Sequence, residues 1–151
     1  MNKFDLNDLD DGQVKELINE LKYTDSYINE SELKKLIATK IKQRQKVISF
    51  NLGVKYIVII NRGNVEIDRF SISIIFEETY HTLVRIDIRG GIHFNPDGSS
   101  APNSHIHIYN NAYEKKDRFA YEINLKDFPI LNDIYSVYKS FLAYNNISET
   151  K

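Results

Sequence analysis

Three of the four histidines in this chain fall within one stretch, RGGIHFNPDGSSAPNSHIHIY, running from Arg89 to Tyr109. His105 and His107 form an H-x-H pair, and on a strand of period two such a pair points both imidazoles to one side. Three chemistries suit this set. Neutral imidazoles at His93, His105 and His107, with Asp87 nearby, can hold a divalent transition metal. Alternatively His105 or His107 acts as general acid or base on a phosphodiester, with Arg85 or Arg89 neutralising the phosphate and Tyr109 orienting it. In the third reading nothing reacts, and histidines, arginines and tyrosine grip a planar anion such as a nucleotide by charge and stacking. Set against all three is a plain role: histidines on the wet face of an antiparallel sheet often only hydrogen-bond to their neighbours, and arginine–aspartate pairs on strands are commonly structural.

These side chains need two strands to bring them together. TLVRIDIRG sends Val84, Ile86 and Ile88 one way and Arg85, Asp87 and Arg89 the other. SHIHIY does the same with Ile106 and Ile108 against His105, His107 and Tyr109. If the two runs pair as a hairpin and both bury their isoleucines on one side, the polar sets share the opposite face. Asp87 is then expected across from the H-x-H, holding one of its imidazoles. About fifteen residues join the two strands, a length that is usually functional. Within them NPDG is a β-turn signal, with Asn95 at the corner, Pro96 fixing φ, Asp97 following and Gly98 closing.

Around this hairpin the chain reads as α+β. DDGQVKELINELKY places Val14, Leu17, Ile18 and Leu21 at helical spacing, and NESELKKLIATKIKQRQ repeats the pattern through Leu33, Leu36, Ile37 and Ile41. Asp10 or Asp11 can cap the first helix, Asn29 or Ser31 the second, and TDSYIN between them reads as a turn. VISFNL then alternates, with Ile48, Phe50 and Leu52 on one face, and VKYIVIIN has the β-branched density of a central strand. NRGN is a tight-turn signal in which Gly63 supplies positive φ. RFSISIIFEET puts Phe70, Ile72, Ile74 and Phe76 inward, and RFAYEINL is a further short strand. DFPILNDIYSVYKSFLAYNNI closes as a helix after Pro129, near Asn132 or Asp133, with an apolar stripe from Leu131 through Leu142. The expectation is one domain over residues 1–151: two N-terminal helices through 45, a mostly antiparallel sheet of five to six strands over 46–125, and a C-terminal helix over 129–146 packed on the sheet.

Composition narrows the function classes. A chain of 151 residues, 42% hydrophobic and 12% aromatic, can build a core. It has no cysteine, which removes thiolate nucleophiles, thiolate metal sites and disulfides. The opening MNKFDLNDLDDG has no apolar signal core and no run reaches the length of a membrane span, so a cytoplasmic protein without a membrane partner is expected. The net charge of −1 hides an acidic first thirty residues and a basic run with Lys34, Lys35, Lys40, Lys42, Arg44 and Lys46, read as the solvated face of the second helix. A chain so near neutrality is a poor general coat for nucleic acid.

VRIDIRGGIHFNPDGSSAPNSHIHIYNNAYEKKDRFAYEI also resembles the signature of a small bacterial family met in phages, prophages and mobile elements: R-x-D-I, a glycine, a histidine with N-P-D-G, then P-x-x-H-x-H-I-Y. The likeness covers residues 83–124, and more loosely 60–63 and 141–147. It implies a site at Arg85, Asp87, His93, Asn95, Asp97, Gly98, His105, His107 and Tyr109. Gly90 and Gly91 stand where a proline is expected nearby, and Lys115 and Lys116 where an aromatic often follows, so the chain departs from the pattern in the shape of the loop. The resemblance lends no activity, but it implies an accessory gene of the counter-defence, regulator or toxin kind. A fainter likeness is to TumE-like toxins, through a short strand ending in a histidine motif. The leading expectation is a phage or mobile-element accessory protein that binds a host defence component or a nucleotide-like anion through residues 85–109, with Arg85, Asp87, Arg89, His93, Asn95, Asp97, His105, His107 and Tyr109 as ligand-binding residues. The alternative is a small endoribonuclease toxin with His105 and His107 as acid and base, acting on RNA. No cofactor or bound metal is expected, and self-association is left open.

Overall fold

The computed structural model describes residues 4–35, 41–63, 66 and 68–149. The first helix, α1 (Asp11–Asn19), starts as expected at Asp10, whose side chain accepts from the Gln13 N–H while Gln13 reaches back to the Asp10 N–H. The helix stops at Asn19, short of the expected run to Tyr23, and a strand that no pattern announced follows, β1 (Lys22–Thr24), which takes the last two residues of that run and the first of the expected turn. Asn29 caps α2 (Glu30–Lys35) through the Glu32 N–H. The expected second helix is cut short, because by Ile41 the chain is already in strand β2 (Ile41–Ser49). Leu36 and Ile37 lie outside the described residues. The run IKQRQKVIS satisfies period two as well as period 3.6. Eight successive partners between Ile41 and Ile48 on β2 and the next strand, β3 (Lys55–Arg62), outweigh local helix propensity.

The remaining elements are β4 (Phe70–Phe76), β5 (Thr82–Ile88), β6 (His93–Phe94), β7 (Ser100–Ala101), β8 (His105–Ile108), β9 (Ala120–Glu122), α3 (Ile134–Tyr144) and β10 (Ile147–Glu149). The expected mostly antiparallel sheet of five to six strands led by two N-terminal helices is therefore corrected. There is one mixed sheet of eight strands, ordered β10-β1-β2-β3-β4-β5-β8-β9, a separate β6-β7 ribbon, and three helices among the described residues. The sheet is mixed because β10 runs parallel to β1 while the other neighbours are antiparallel. Strands of three residues are too short for periodicity to betray them, and β1 and β10 are three residues each.

One sheet face is the core. Tyr56, Val58, Ile60, Phe70, Ile72, Ile74, Phe76, Val84, Ile86 and Ile88 are all buried there, those of 70–76 and 84–88 as their alternation foretold. They share a cluster with Val14 and Leu17 of α1 and Val137, Tyr138 and Phe141 of α3. Helix α3 begins at Asp133, which accepts from the Ser136 N–H, four residues beyond Pro129. On β2 the inward residues are Ile41, Gln45, Val47 and Ser49, while Ile48 and, just past the strand, Phe50 are 48% and 61% exposed. Buried Gln45 is tolerated because its amide donates to the Tyr138 hydroxyl and the Ser26 carbonyl. Gly63 has no positive φ, and Asn61 and Arg62 of the expected turn remain in β3. Asn64 of the expected turn lies outside the described residues.

The opposite face is polar. Register places Lys42, Asn61, Ser71, Asp87 and His105 in one row across five strands, and Arg44, Ile59, Ser73, Arg85 and His107 in the next. On β2 the exposed Lys42, Arg44 and Lys46 thus stand on the same face as the histidines. Of the basic run read as a helix face, Lys34 and Lys35 do lie on α2, Lys40 is outside the described residues, and Lys42, Arg44 and Lys46 belong to the sheet's wet face.

Candidate functional site

Strands β5 and β8 pair antiparallel with Asp87 opposite His105 and Arg85 opposite His107, the register that burying both sets of isoleucines requires. The third histidine arrives on the ribbon β6-β7, where His93 pairs with Ala101 and Phe94 with Ser100. This ribbon folds back over the end of the polar face. Ring centroids lie 4.9 Å apart for His105 and His107, 5.0 Å for His93 and His107, and 5.6 Å for His93 and His105. Beneath the ribbon His105 is 3% exposed and His107 fully buried, so this is no wet-face array but a closed cluster.

Each imidazole is oriented by a backbone carbonyl. Nδ1 of His105 lies 2.8 Å from the Pro102 oxygen, Nδ1 of His107 2.7 Å from the Asp117 oxygen, and Nε2 of His93 2.9 Å from the Arg118 oxygen. A carbonyl only accepts, so each of these nitrogens carries the proton. In the neutral imidazole that leaves Nε2 of His105 and His107 and Nδ1 of His93 as bare lone pairs. Asp87 Oδ2 stands 3.3 Å from Nε2 of His105 and 3.2 Å from Nε2 of His107. Lone pairs facing a carboxylate call for a proton or a cation between them. Arg85 meets part of that demand: its Nη2 donates to His107 Nε2 at 2.9 Å, its Nε is 3.3 Å from Asp87 Oδ1, and its Nη1 donates to Asp117 Oδ2 at 2.7 Å.

Charge states follow from this geometry. Burial alone pushes the Asp87 carboxyl up, but hydrogen bonds from His105 and His107 and the Arg85 guanidinium hold it far below the usual carboxylate range. Burial pulls His105 down, yet the Asp87 and Pro102 bonds prevail and its affinity for a proton is raised. His93 is lowered, chiefly by burial, with its Arg118 bond too weak to compensate and the neighbouring histidines and Arg85 adding to the fall.

The other expected site residues divide. Asn95 is buried and works as a clamp, with its Oδ1 accepting from the Ala120 N–H at 2.9 Å and its Nδ2 donating to the Ala120 carbonyl at 3.0 Å. Asp97 accepts from the backbone and hydroxyl of Ser99, while Gly98, at φ 92°, closes the turn onto the Asn95 carbonyl. These three shape the ribbon and lie apart from the imidazole cluster. Arg89 pairs with Asp68 at the exposed strand end. Tyr109 is not brought to the site: past the last residue of β8 its ring turns against Phe76 in the core and its hydroxyl donates to the Leu6 carbonyl at 2.9 Å. Sequence reasoning missed Asp117, which is buried and gives His107 its carbonyl and Arg85 its carboxylate. It sits in EKKDR, which looks solvated, and no local spacing links it to Arg85 across 32 residues.

Beside Asp87 a groove of about 510 Å³ opens, lined by Asn61, Arg62, Arg69, Ser71 and Gly90 among others. Among the described residues no helix is long and apolar enough to cross a membrane. No curated protein and no solved structure matches the chain. The model of a family of unknown function, DUF6978, matches residues 9–147, and the chain belongs to that family.

Proposed function

We propose that the polar sheet face binds a nucleotide-like anionic ligand, in a cytoplasmic accessory protein of the phage or mobile-element kind with a counter-defence role. One observation carries the binding reading: Lys42, Arg44 and Lys46 are exposed on the same face as Asn61, Ser71 and Asp87. Sheet strands are about 4.8 Å apart, so the row from Lys42 to Asp87 spans roughly 14 Å, the reach of two or three nucleotides. The groove beside Asp87 gives such a ligand somewhere to seat beyond the cationic edge. A phosphate meets fixed cations at one end of the row and hydrogen-bonding groups along it. The endoribonuclease alternative has less support, because His107 is fully buried and a phosphodiester reaches its Nε2 only if the ribbon lifts.

The test is fluorescence anisotropy with a short labelled single-stranded RNA and with labelled ATP, for the native chain and for the charge reversal K42E/R44E/K46E. All three side chains are exposed, so the variant keeps the core. Binding of either probe that weakens at least tenfold in the variant, and falls with added salt, supports the reading. Absence of binding to both probes, or binding indifferent to the reversal, overturns it.

A further inference from the structure

We propose that His93, His105 and His107, together with the Asp87 carboxylate, form a binding site for a single divalent transition-metal ion of the zinc, cobalt or nickel class. The three imidazoles each offer a ligand nitrogen within 4.8 Å of one another. A tetrahedron with bonds of about 2.0–2.1 Å has edges of roughly 3.3–3.4 Å. Asp87 Oδ2 already stands 3.3 Å and 3.2 Å from the His105 and His107 Nε2 atoms, so two edges of that figure are in place before any ion arrives. The fourth corner belongs to His93 Nδ1. His93 is the half-buried member and rides on the two-residue strand β6, so it is the one able to close inward.

The surroundings are those of a ligand set. Metal-bound histidines almost always donate their second ring N–H to a carbonyl or carboxylate, which fixes tautomer and ring plane. Here all three do, to the Pro102, Asp117 and Arg118 carbonyls. Two of the three remaining ring nitrogens, Nε2 of His105 and of His107, face the Asp87 carboxylate. Neutral imidazoles with one carboxylate favour borderline divalent ions over magnesium or calcium, which prefer oxygen shells. Arg85 is the competitor, since its Nη2 holds the His107 lone pair at 2.9 Å. An ion displaces that single contact, and Arg85 keeps its hydrogen bond to Asp117 and its ion pair with the outer oxygen of Asp87. This inference is independent of what binds the open sheet face.

Tag-free protein stripped with chelator and titrated with Co²⁺, then Zn²⁺, tests it. The expected results are one ion per chain, visible d–d absorption of four- or five-coordinate cobalt, displacement of cobalt by zinc, and a melting temperature that rises with metal at an excess of about a hundredfold over Kd. His93→Gln, at a partly exposed position whose loss leaves the buried pair intact, is expected to weaken cobalt binding at least tenfold with unchanged metal-free melting. Magnesium is expected to have no effect. A featureless cobalt titration with unmoved melting overturns the proposal, and so does cobalt binding that His93→Gln leaves untouched.

Discussion

Asp87 is the residue on which the cluster depends, because it faces both buried imidazoles and the Arg85 guanidinium at once. In metal-free protein, Asp87→Asn is expected to lower the His105 midpoint in an NMR titration, since burial is then opposed only by the Pro102 bond. His81, held by Asn7 away from the cluster, is expected to stay put, and a stationary His105 would refute the assignment. The linkage runs in opposite directions for the two partners. His105 binds its proton more tightly folded than unfolded, so its contribution is whole below pH 6.5 and is lost as pH rises through its folded value. Asp87 binds its proton less tightly folded, so its contribution is present above about pH 4 and is lost on acidification. Acid denaturation of Asp87→Asn should therefore show a shallower loss of stability below pH 4 than the native chain. At this scale the sequence was informative where register decides position. Asp87, His105 and His107 fall together because four isoleucines and valines have to share one core face. Tyr109 was misplaced because alternation holds only while the strand lasts, and β8 ends one residue before it. Asp117 was invisible because its partners are distant in the chain.

Among the elements, the β6-β7 ribbon turns an exposed sheet end into a closed chamber, and Asn95 secures it to Ala120 from both sides. Asn95→Ala is expected to cost about 1–3 kcal/mol, the range for stranding buried backbone partners. Chemical denaturation measures the loss, and hydrogen exchange should localise it to the amides of residues 93–101 and Ala120. An unchanged midpoint would show that the ribbon is held otherwise. Gly98→Ala acts on the same element through φ 92°, a backbone shape that a Cβ resists, and should cost about 1 kcal/mol. The sequence marked this ribbon's turn through NPDG but not its two strands, which are two residues each and pair only with one another. The largest misreading, the second helix, has a physical origin. Alternating lysine and arginine in IKQRQK also suit a solvated helix, and only the long run of partners on β3 selects the strand.

Over the whole molecule, one buried lysine joins segments far apart. Lys22 is fully buried, and its ammonium donates to the carbonyls of Ile18, Glu20 and Asn145, so it caps the end of α1 and fastens it to the end of α3. Burial pulls its pKa down from 10.5 to about 8, against the opposing charge of Glu20. Between those two values the unfolded chain keeps a proton that the folded chain has released, so stability rises with pH across that window. At about 1.4 kcal/mol per pH unit the gain over Lys22→Met is up to about 3 kcal/mol, and denaturation at pH 8 and pH 10 reads it. Parallel slopes in the two proteins would contradict this. The α+β class was legible from the order of patterns, but the eight-strand order was not, since its outer pair joins residues 22–24 to 147–149. That pairing has a consequence for birth on the ribosome. Strand β1 is made early and waits for a neighbour that is translated more than 120 residues later. Until β10 emerges, the Lys22 side of the sheet is an open seam. Nascent chains halted before Ile147 should therefore be the form most readily captured by chaperones or cut by proteases, with resistance arriving abruptly once the last strand is free of the exit tunnel.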